Sequence, residues 1–523
     1  MDAGHRRHTL IVVALVAIIA ITGCTAPLSA PADSPGADDR ELGSINGFEP
    51  DDEIEIGDPE ALTRAELEAV SYRAMARIEV IRGVRFTEDV EIEVYTREEV
   101  REQFDRGDEP ADAFTNELWR APFIVDGETD VNEAFETLYG DSVQGFYQSG
   151  RVVVVTDDPE AIRISRDTLV HELTHALQDQ HVGLERRGST LDERRAETGL
   201  IEGEANYLPY LYEQRCDVEW ECLPELEALE AANGSTGDDL NVGLFLSIFA
   251  PYSEGATFVE HLHRTGGWEA IDDAFENRPV STSQLIHPER YPDQQPREVA
   301  LEDRSSGGWE PITDEDGEIR TETIGEATLF AGLWTNNVLE HSLFDDSTPL
   351  SPYTYDNPVT AAWAGDTFVA YEAAGDGAEG EGPTGHVWAL EWESEAAAER
   401  FAETYRNLLE TRGGTAIDDS GDTYRIGDDD RFSGAYKLTV DGDRVEIVAA
   451  PTVADLEAIR PATGNSVSAL EGPTASDSGV GMTTASSGVT TASSGGPTIT
   501  AAGGESTISA SSEGTAATAS TTR

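Results

Sequence analysis

Two histidines and a glutamate within five residues carry the clearest chemical signal in the sequence. His171, Glu172 and His175 form the pattern H-E-x-x-H within the run 171–181. Residues four apart lie one turn apart on one helical face, so both imidazoles can reach a single metal ion. Glu172 lies about 100° round the helix axis, where it can take a proton from a metal-bound water without being a ligand. With 10 histidines in 523 residues, about 0.02 chance matches are expected, so the motif is informative.

The third protein ligand decides which kind of zinc site this motif would build. Catalytic zinc takes three protein ligands, nitrogen or carboxylate oxygen, and leaves a fourth position for water. His181 has the spacing of a third histidine in metzincins, but that pattern needs glycine where Gln178 stands. It also needs a downstream methionine turn, and the only later methionine is Met482 in the tail. A glutamate on the following helix is therefore the better candidate.

That glutamate occurs in the run Leu200-Ile-Glu-Gly-Glu-Ala-Asn206. The run resembles the Glu-Gly-x-Ala segment of gluzincin peptidases, in which the glutamate before the glycine binds zinc. The resemblance makes Glu202 the third ligand, leaves Glu204 as its rival, and implies that the small Gly203 lets helices pack closely. Asn206 stands where those enzymes have an aspartate that pairs with a histidine.

Further segments resemble a family of uncharacterised zincin-like proteins that includes surface lipoproteins of haloarchaea. The resemblance is strong over 150–300 and weaker around 363–366 and 387–388. It implies a gluzincin-like fold and a zinc cofactor, one ion per chain, but no substrate. The segments that carry it, besides the two runs above, are Pro251–Val259, Gly266–Trp268 and Ser281–Tyr291.

A peptidase also needs a hydrogen-bond donor for the oxyanion of its transition state, usually a tyrosine or a histidine. Four residues in these segments qualify by type: Tyr252, His261, His263 and His287. His287 precedes a proline after a predicted helix, so a stiff turn would position it. We therefore predict His287 as this catalytic donor.

The charge balance limits the environment and the partners of the protein. Asp and Glu number 102 against 35 Lys and Arg, giving a net charge of −67, and Lys437 is the only lysine. Such a surface repels phosphate, so nucleic acid is excluded as a partner. Self-repulsion of this size is tolerated when molar salt reduces the screening length to about 3 Å. The composition therefore predicts a halophilic protein.

The amino terminus is typical of an exported lipoprotein. Residues 1–23 contain Arg6 and Arg7, then an apolar run from Leu10 to Ile21, which is shorter than the roughly 20 residues of a membrane span. They end in a lipobox before Cys24, whose thiol is the predicted lipid attachment site. Residues 24–52 would form a flexible tether. We expect a lipid-anchored protein on the extracellular face of the cell membrane.

Two cysteines remain after Cys24 is assigned to the lipid. Cys216 and Cys222 are separated by five acidic or apolar residues. Outside the cell, such a pair can persist as a local disulfide, provided that the segment is not one continuous helix.

The periodicity of apolar residues predicts an α+β protein with two domains and a tail. A mainly helical gluzincin-like domain with a small N-terminal sheet would occupy 53–300, and a smaller α+β domain 318–460. Residues 464–523, rich in Ser, Thr, Gly and Ala, are predicted to be disordered. The predicted helices are 59–82, most of 165–275, 324–339 and 395–411. The predicted strands are 90–95, a hairpin over 146–155, 367–372, 386–393, and two segments around 423–426 and 435–448.

These features predict a zinc-dependent peptidase, a hydrolase in which Glu172 is the general base and the metal-bound water attacks a peptide bond. Its partners would be a peptide or protein substrate and, through the lipid, the membrane. The alternative is a catalytically silent zincin scaffold that binds cell-envelope ligands. A solute-binding lipoprotein explains the anchor equally well, but it leaves H-E-x-x-H unexplained. The sequence favours no oligomeric state.

Overall fold

The computed structural model of the protein describes seven stretches of the chain. They are residues 40–104, 110–139, 144–223, 240–344, 347–374, 382–417 and 421–461. Of these described residues, 41% are helical and 18% extended, in eleven α-helices and two sheets. The α+β class is therefore confirmed. The predicted signal segment, Cys24, most of the tether and the tail from 464 lie outside the described residues.

The first helix, α1 (Arg64–Arg82), is bounded by capping residues that the sequence supplies. The Thr63 hydroxyl accepts the amide of Glu66, and the Glu66 carboxylate accepts the amide of Thr63. This reciprocal box fixes the first turn. Gly83 ends the helix at φ 83°, a left-handed conformation in which glycine has no Cβ penalty.

A small sheet follows α1, as predicted. It consists of β1 (Glu91–Thr96), β2 (Gly145–Gln148) and β3 (Arg151–Thr156) in the order β1-β3-β2. β1 runs parallel to β3, and β2 pairs antiparallel with β3 through the turn at Ser149 and Gly150. β2 is therefore an edge strand, and within the described residues no further strand pairs with it.

Three long helices form the centre of the molecule, which confirms the helical prediction over most of 165–275. They are α5 (Arg166–His181), α6 (Leu191–Glu213) and α7 (Val242–Glu276). α7 is the one helix in the described part of the chain that is long and apolar enough to cross a membrane. However, 78% of its most apolar stretch is buried inside the protein, as expected for a core helix.

Several short helices were not predicted from the sequence. Between the strands of the first sheet lie α2 (Arg97–Phe104), α3 (Ala113–Arg120) and α4 (Val131–Tyr139), and α8 (Thr282–Ile286) follows α7. Each of them has nine residues or fewer. Apolar periodicity over so few residues spans little more than two turns, which is too short to distinguish a helix from a loop.

The second sheet has seven antiparallel strands. They are β4 (Trp309–Pro311), β5 (Trp363–Ala373), β6 (Thr384–Trp392), β7 (Thr415–Ala416), β8 (Thr423–Ile426), β9 (Gly434–Asp441) and β10 (Arg444–Ala450). Their order in the sheet is β4-β5-β6-β10-β9-β8-β7. The helix before its long strands is α9 (Gly325–Thr335), so the predicted extension to 339 is wrong. The helix stops there because Asn336 caps it and Asn337 takes a positive φ of 59°. The predicted helix over 395–411 is confirmed. That helix is α10 (Glu395–Thr411), and α11 (Val453–Ile459) follows the last strand.

The two predicted domain ranges, 53–300 and 318–460, share one cluster of buried apolar side chains. Phe114 of α3 packs edge-on against Phe368 of β5, with ring centroids 5.5 Å apart. Phe123, in the loop after α3, stacks on Phe432 at 4.8 Å. The first sheet, α1 and α5 pack around a separate cluster. The larger sheet thus packs with α3, α9 and the first part of α7.

A disulfide joins Cys216 and Cys222 just after α6, with their Cα atoms 5.5 Å apart. The bridge is possible because α6 ends at Glu213 and the segment between the cysteines forms a turn. Arg77 of α1 lies over the ring of Trp220 inside this loop, 4.9 Å from its centroid. The loop is thereby held against the first helix.

Candidate metal centre

Helix α5 presents His171 and His175 to the interior of the protein. The hydroxyl of Ser165 caps the helix by accepting the amide of Thr168. An apolar stripe fixes the helix in the core, and the two histidines lie beside it, 2% and 7% exposed. Their rings meet edge to face, with centroids 4.7 Å apart. The stripe consists of Leu169, Val170, Leu173, Ala176 and Leu177.

Helix α6 brings Glu202 to the same point. Its Oε2 lies 3.3 Å from Nε2 of His171 and 3.4 Å from Nε2 of His175. The two Nε2 atoms are 3.0 Å apart. Among the described residues, these three are the one group of histidine, cysteine and carboxylate side chains whose ligand atoms converge closely enough to hold a metal.

The outer nitrogens of both histidines are occupied by amide oxygens. Nδ1 of His171 lies 3.0 Å from Oδ1 of Asn206, and Nδ1 of His175 lies 2.9 Å from Oε1 of Gln178. An amide oxygen only accepts, so each Nδ1 must carry the proton and donate it. The amide orientations are themselves fixed, because the nitrogen of Asn206 donates to the Tyr252 carbonyl and that of Gln178 to the Ile201 carbonyl.

With Nδ1 protonated, each neutral imidazole has only a lone pair on Nε2. Two lone pairs and a carboxylate oxygen therefore face one another, and they are satisfied either by a metal cation between them or by a further proton on Nε2. Ligands of a tetrahedral zinc ion at about 2.0–2.1 Å lie about 3.3 Å apart. The observed separations of 3.0, 3.3 and 3.4 Å fit that geometry.

The electrostatics of this triad, which comprises His171, His175 and Glu202, favour a positive charge at the same point. Burial by itself lowers the pKa of His171, but the carboxylates of Glu202 and Glu172 outweigh burial and raise that pKa to about 9. Burial likewise raises the pKa of Glu202, while the two histidines reverse the effect and hold it far below the ordinary range. The pocket thus attracts cations.

Glu172 lies on the side of α5 that faces the edge strand β2. It is 1% exposed, and its Oε1 has no hydrogen-bond partner within the described residues. Burial raises the pKa of its carboxyl group, which makes the group a stronger base once it is ionised. A Cβ placed on Gly145 of β2 would lie 3.6 Å from Cγ of Glu172. The Glu172 side chain and the edge strand are therefore neighbours.

Glycines set the distance between α6 and α7. A Cβ on Gly203 would come within 2.3 Å of the carbonyl oxygen of Gly255, and one on Gly255 within 2.1 Å of the carbonyl oxygen of Gly199. No side chain fits in this contact, so the two backbones touch. Glu202 stands next to Gly203, and its position follows from this packing.

The two rivals for the third ligand point elsewhere. The carboxylate of Glu204 is buried on the far side of Gln178, accepting from its Nε2 at 2.9 Å. Nε2 of His181 lies 2.7 Å from the carbonyl oxygen of Arg85 at the exposed end of α5. Neither side chain contacts His171 or His175.

His287, the predicted oxyanion donor, and His263, a further candidate, have other described partners. Nε2 of His287 lies 3.0 Å from Oε1 of Glu326 on α9, with both side chains buried. Nδ1 of His263 lies 3.0 Å from the hydroxyl of Tyr207. The described contacts of His287 do not include the triad, and its catalytic role stays a prediction.

Sequence reasoning did not assign roles to two residues behind the triad. Gln178 was considered only as the residue that replaces a glycine, although it lies three positions after His175 on the same helix. Residues three apart share a helical face, so its contact with His175 could have been foreseen. Arg82 is far away in sequence, and no local signal places it beside Glu204.

Comparison with known proteins assigns no function. Residues 310–460 match a family described as a domain of unknown function (DUF8575). This range includes the seven-stranded sheet and lies outside the triad. No curated protein and no solved structure matches the chain.

Proposed function

We propose that the protein is a zinc-dependent peptidase with a gluzincin-like arrangement. The observation that carries the proposal is the triad itself, in which three electron-pair donors converge while both Nδ1 atoms are already engaged. The order of elements supports it, because an edge strand precedes the H-E-x-x-H helix and a second helix supplies the glutamate.

His171, His175 and Glu202 would hold the zinc ion. Zinc in such a site polarises a substrate carbonyl and brings the pKa of water near 7. Asn206 and Gln178 keep each ligating imidazole in the tautomer that exposes Nε2. The protein groups therefore orient the ligands before the metal arrives.

Glu172 supplies the base. Its Oε1 is buried and unbonded, so it can accept the proton of the attacking water and later return it to the leaving amine. Burial raises the pKa of its carboxyl group and so brings it closer to the pKa of the water that it deprotonates. This smaller difference favours the transfer of the proton.

The edge strand β2 is the proposed guide for the substrate. A peptide in extended conformation can add through main-chain hydrogen bonds to a sheet edge that lacks a strand partner. Because Gly145 of β2 lies beside Glu172, a peptide paired there would pass the base. This arrangement suits a peptide or protein substrate.

The proposed location is the extracellular face of the cell membrane. It rests on the signal segment, the lipobox before Cys24 and the acidic surface, which suits molar salt. The disulfide between Cys216 and Cys222 supports it, because such bonds persist in oxidising compartments.

The test is to compare the protein with its Glu172→Gln variant, both purified in molar salt. We expect both to bind about one zinc per chain, measured by mass spectrometry. Cleavage of a peptide pool should fall by about 10²–10⁴-fold in the variant. Cleavage products that are identical in both proteins, or absent from both, would count against a peptidase. Zinc binding without any cleavage would favour the non-catalytic scaffold.

A further inference from the structure

A chain of polar contacts leads from the triad to the surface. Oε1 of Gln178 faces Nδ1 of His175 at 2.9 Å, and Nε2 of Gln178 donates to Oε2 of Glu204 at 2.9 Å. Nε of Arg82 donates to the other oxygen of Glu204 at 2.5 Å. Arg82 also donates to Asp272. The path therefore joins α1 to a proposed metal ligand on α5.

The middle of this path is buried. Glu204 is 2% exposed and Arg82 7%, whereas the side chain of Asp272 is 54% exposed. The guanidinium carbon of Arg82 lies 4.6 Å from the centroid of the Trp268 ring, which packs against it. A buried ion pair contributes little net stability compared with well-packed apolar residues, so stability alone does not account for its presence.

The orientation of the Gln178 amide decides whether His175 can bind a metal. Both hydrogens on its nitrogen are used, one by the Ile201 carbonyl and one by Glu204. A flipped amide would point its oxygen at these two acceptors and its nitrogen at Nδ1 of His175. Nδ1 would then have to be unprotonated, the proton would move to Nε2, and Nε2 could not coordinate a metal.

We propose that Arg82 and Glu204 are positioning residues for the metal ligand His175, and that they act through the amide of Gln178. The inference rests on the proposed function only in requiring that the triad binds zinc. Arg82 takes one oxygen of Glu204, and the other oxygen holds the Gln178 nitrogen. The last residue of α1 thereby contributes to the tautomer of a histidine 93 positions later.

The variant Glu204→Gln tests whether Glu204 fixes the orientation of the Gln178 amide. Arg82 still requires an acceptor, so it would take the new amide oxygen and leave the amide nitrogen facing Gln178. Two donors cannot face each other, and Gln178 would flip. We expect zinc affinity, measured by competition with a chromophoric chelator, to fall about 10–100-fold.

The double variant Arg82→Met/Glu204→Gln distinguishes positioning from a structural role. Without Arg82, the new amide can turn its oxygen towards Gln178, and the original orientation returns. We expect the double variant to recover most of the lost affinity. If the ion pair were only structural, removing both partners would weaken zinc binding as much as the single change or more, and that result would overturn the inference.

Glu197→Gln is the matched control. Glu197 lies on the same helix and is 6% exposed. Its Oε2 lies 3.9 Å from Arg278 and accepts the Arg187 amide, with no described contact to the triad. This variant loses a buried carboxylate but should bind zinc like the parent protein. Cobalt absorption spectra of the variants should change for Glu204→Gln and not for Glu197→Gln, because only the former alters the ligand field.

Gln178→Met provides a second variant in case Glu204→Gln fails to fold, because it removes the amide without introducing a charge. It should weaken zinc binding to a similar extent. Parent-like affinity in Gln178→Met or Glu204→Gln would overturn the positioning role while leaving the peptidase proposal intact. A parent protein that binds no zinc would overturn both.

Discussion

Two buried clusters in this protein pair histidine with carboxylate, and they are built in opposite ways. In the triad, the Nε2 atoms of His171 and His175 and Oε2 of Glu202 face one another. In the second, here called the sheet cluster, Glu117 accepts from donors on every side. His386 approaches one oxygen at 2.7 Å, while Thr384 and Arg120 donate to the other at 2.7 and 3.1 Å.

The difference lies in the number of hydrogen-bond donors and acceptors, and it is our reason for proposing a binding role for the triad and a structural role for the sheet cluster. In the sheet cluster the carboxylate of Glu117 is satisfied, because the protein supplies a donor for each oxygen and an arginine for the charge, although Nε2 of His386 has no described partner. The triad with neutral imidazoles presents acceptors only, so its charge balance depends on an added proton or a metal cation. Burial and residue type are alike in the two places, and only the count of donors and acceptors separates them.

The largest difference between the two clusters should appear in zinc content. We expect His175→Ala to reduce it from about one ion per chain to none, whereas His386→Ala should leave it unchanged. Mass spectrometry of the proteins purified in molar salt measures both. Loss of zinc from His386→Ala in folded protein would contradict the distinction.

The free energy of unfolding should be affected more by a change in the sheet cluster than by a change in the triad. Glu117→Ala leaves Arg120 and His386 buried without their carboxylate, which typically costs about 3–5 kcal/mol. Glu202→Ala should cost less in protein treated with a chelator, because removal of that carboxylate lowers the pKa of His171 and lets the buried imidazole become neutral. Denaturant unfolding in molar salt gives both free energies. Equal losses would mean that the two clusters are not of different kinds.

Lowering the pH should reduce the stability of the folded protein through the protonation of Glu117 in the sheet cluster. Burial alone would raise its pKa, but the hydrogen bond from His386 and the charge of Arg120 lower it from 4.5 to about 2. A carboxyl group with a lowered folded pKa contributes stability that is complete above its unfolded pKa, near 4.5, and is lost as the pH falls towards 2. The difference corresponds to about 3 kcal/mol.

The parent protein should therefore lose stability more steeply than Glu117→Gln between pH 5 and pH 2. All other carboxyl groups are common to both proteins, so the difference between the two unfolding curves isolates Glu117. Parallel curves would show that the sheet cluster does not hold its carboxylate ionised.

The smallest expected effect is the stabilisation of the folded protein by zinc. A ligand that binds only the folded state raises the free energy of unfolding by about 2.7 kcal/mol at 100 times its dissociation constant. We expect that gain in the parent and in Glu117→Gln, and none in His175→Ala. Thermal unfolding with and without added zinc measures it, and an equal gain in His175→Ala would place the metal elsewhere.

Local patterns in the sequence were sufficient to predict the three residues that converge in the triad. The H-E-x-x-H spacing places both histidines on one face, and the Glu-Gly-x-Ala resemblance selects Glu202 over Glu204, in line with the geometry. The helix predicted over 59–82 likewise ends before Gly83, as observed, but it begins only at Arg64, after the Thr63 cap. These features depend on neighbours within a few positions, so the sequence contains them.

Contacts between residues far apart in the sequence could not be predicted in this way. Arg82 meets Glu204 across 122 positions, and His287 meets Glu326 across 39. Such pairings are set by how helices pack, and no local periodicity reports them. The same reason explains why the sequence suggests separate domain ranges although their apolar side chains pack together.

The glycine contact between α6 and α7 has a consequence for how such a centre can be lost or altered. Gly203 and Gly255 have no side chain that could take part in chemistry, yet a single methyl group on either would force the two backbones apart. The carboxylate of Glu202, next to Gly203, would then shift relative to both imidazoles although the three residues of the triad are unchanged. The proposed metal centre could therefore be lost or altered by changing a residue that contributes no ligand.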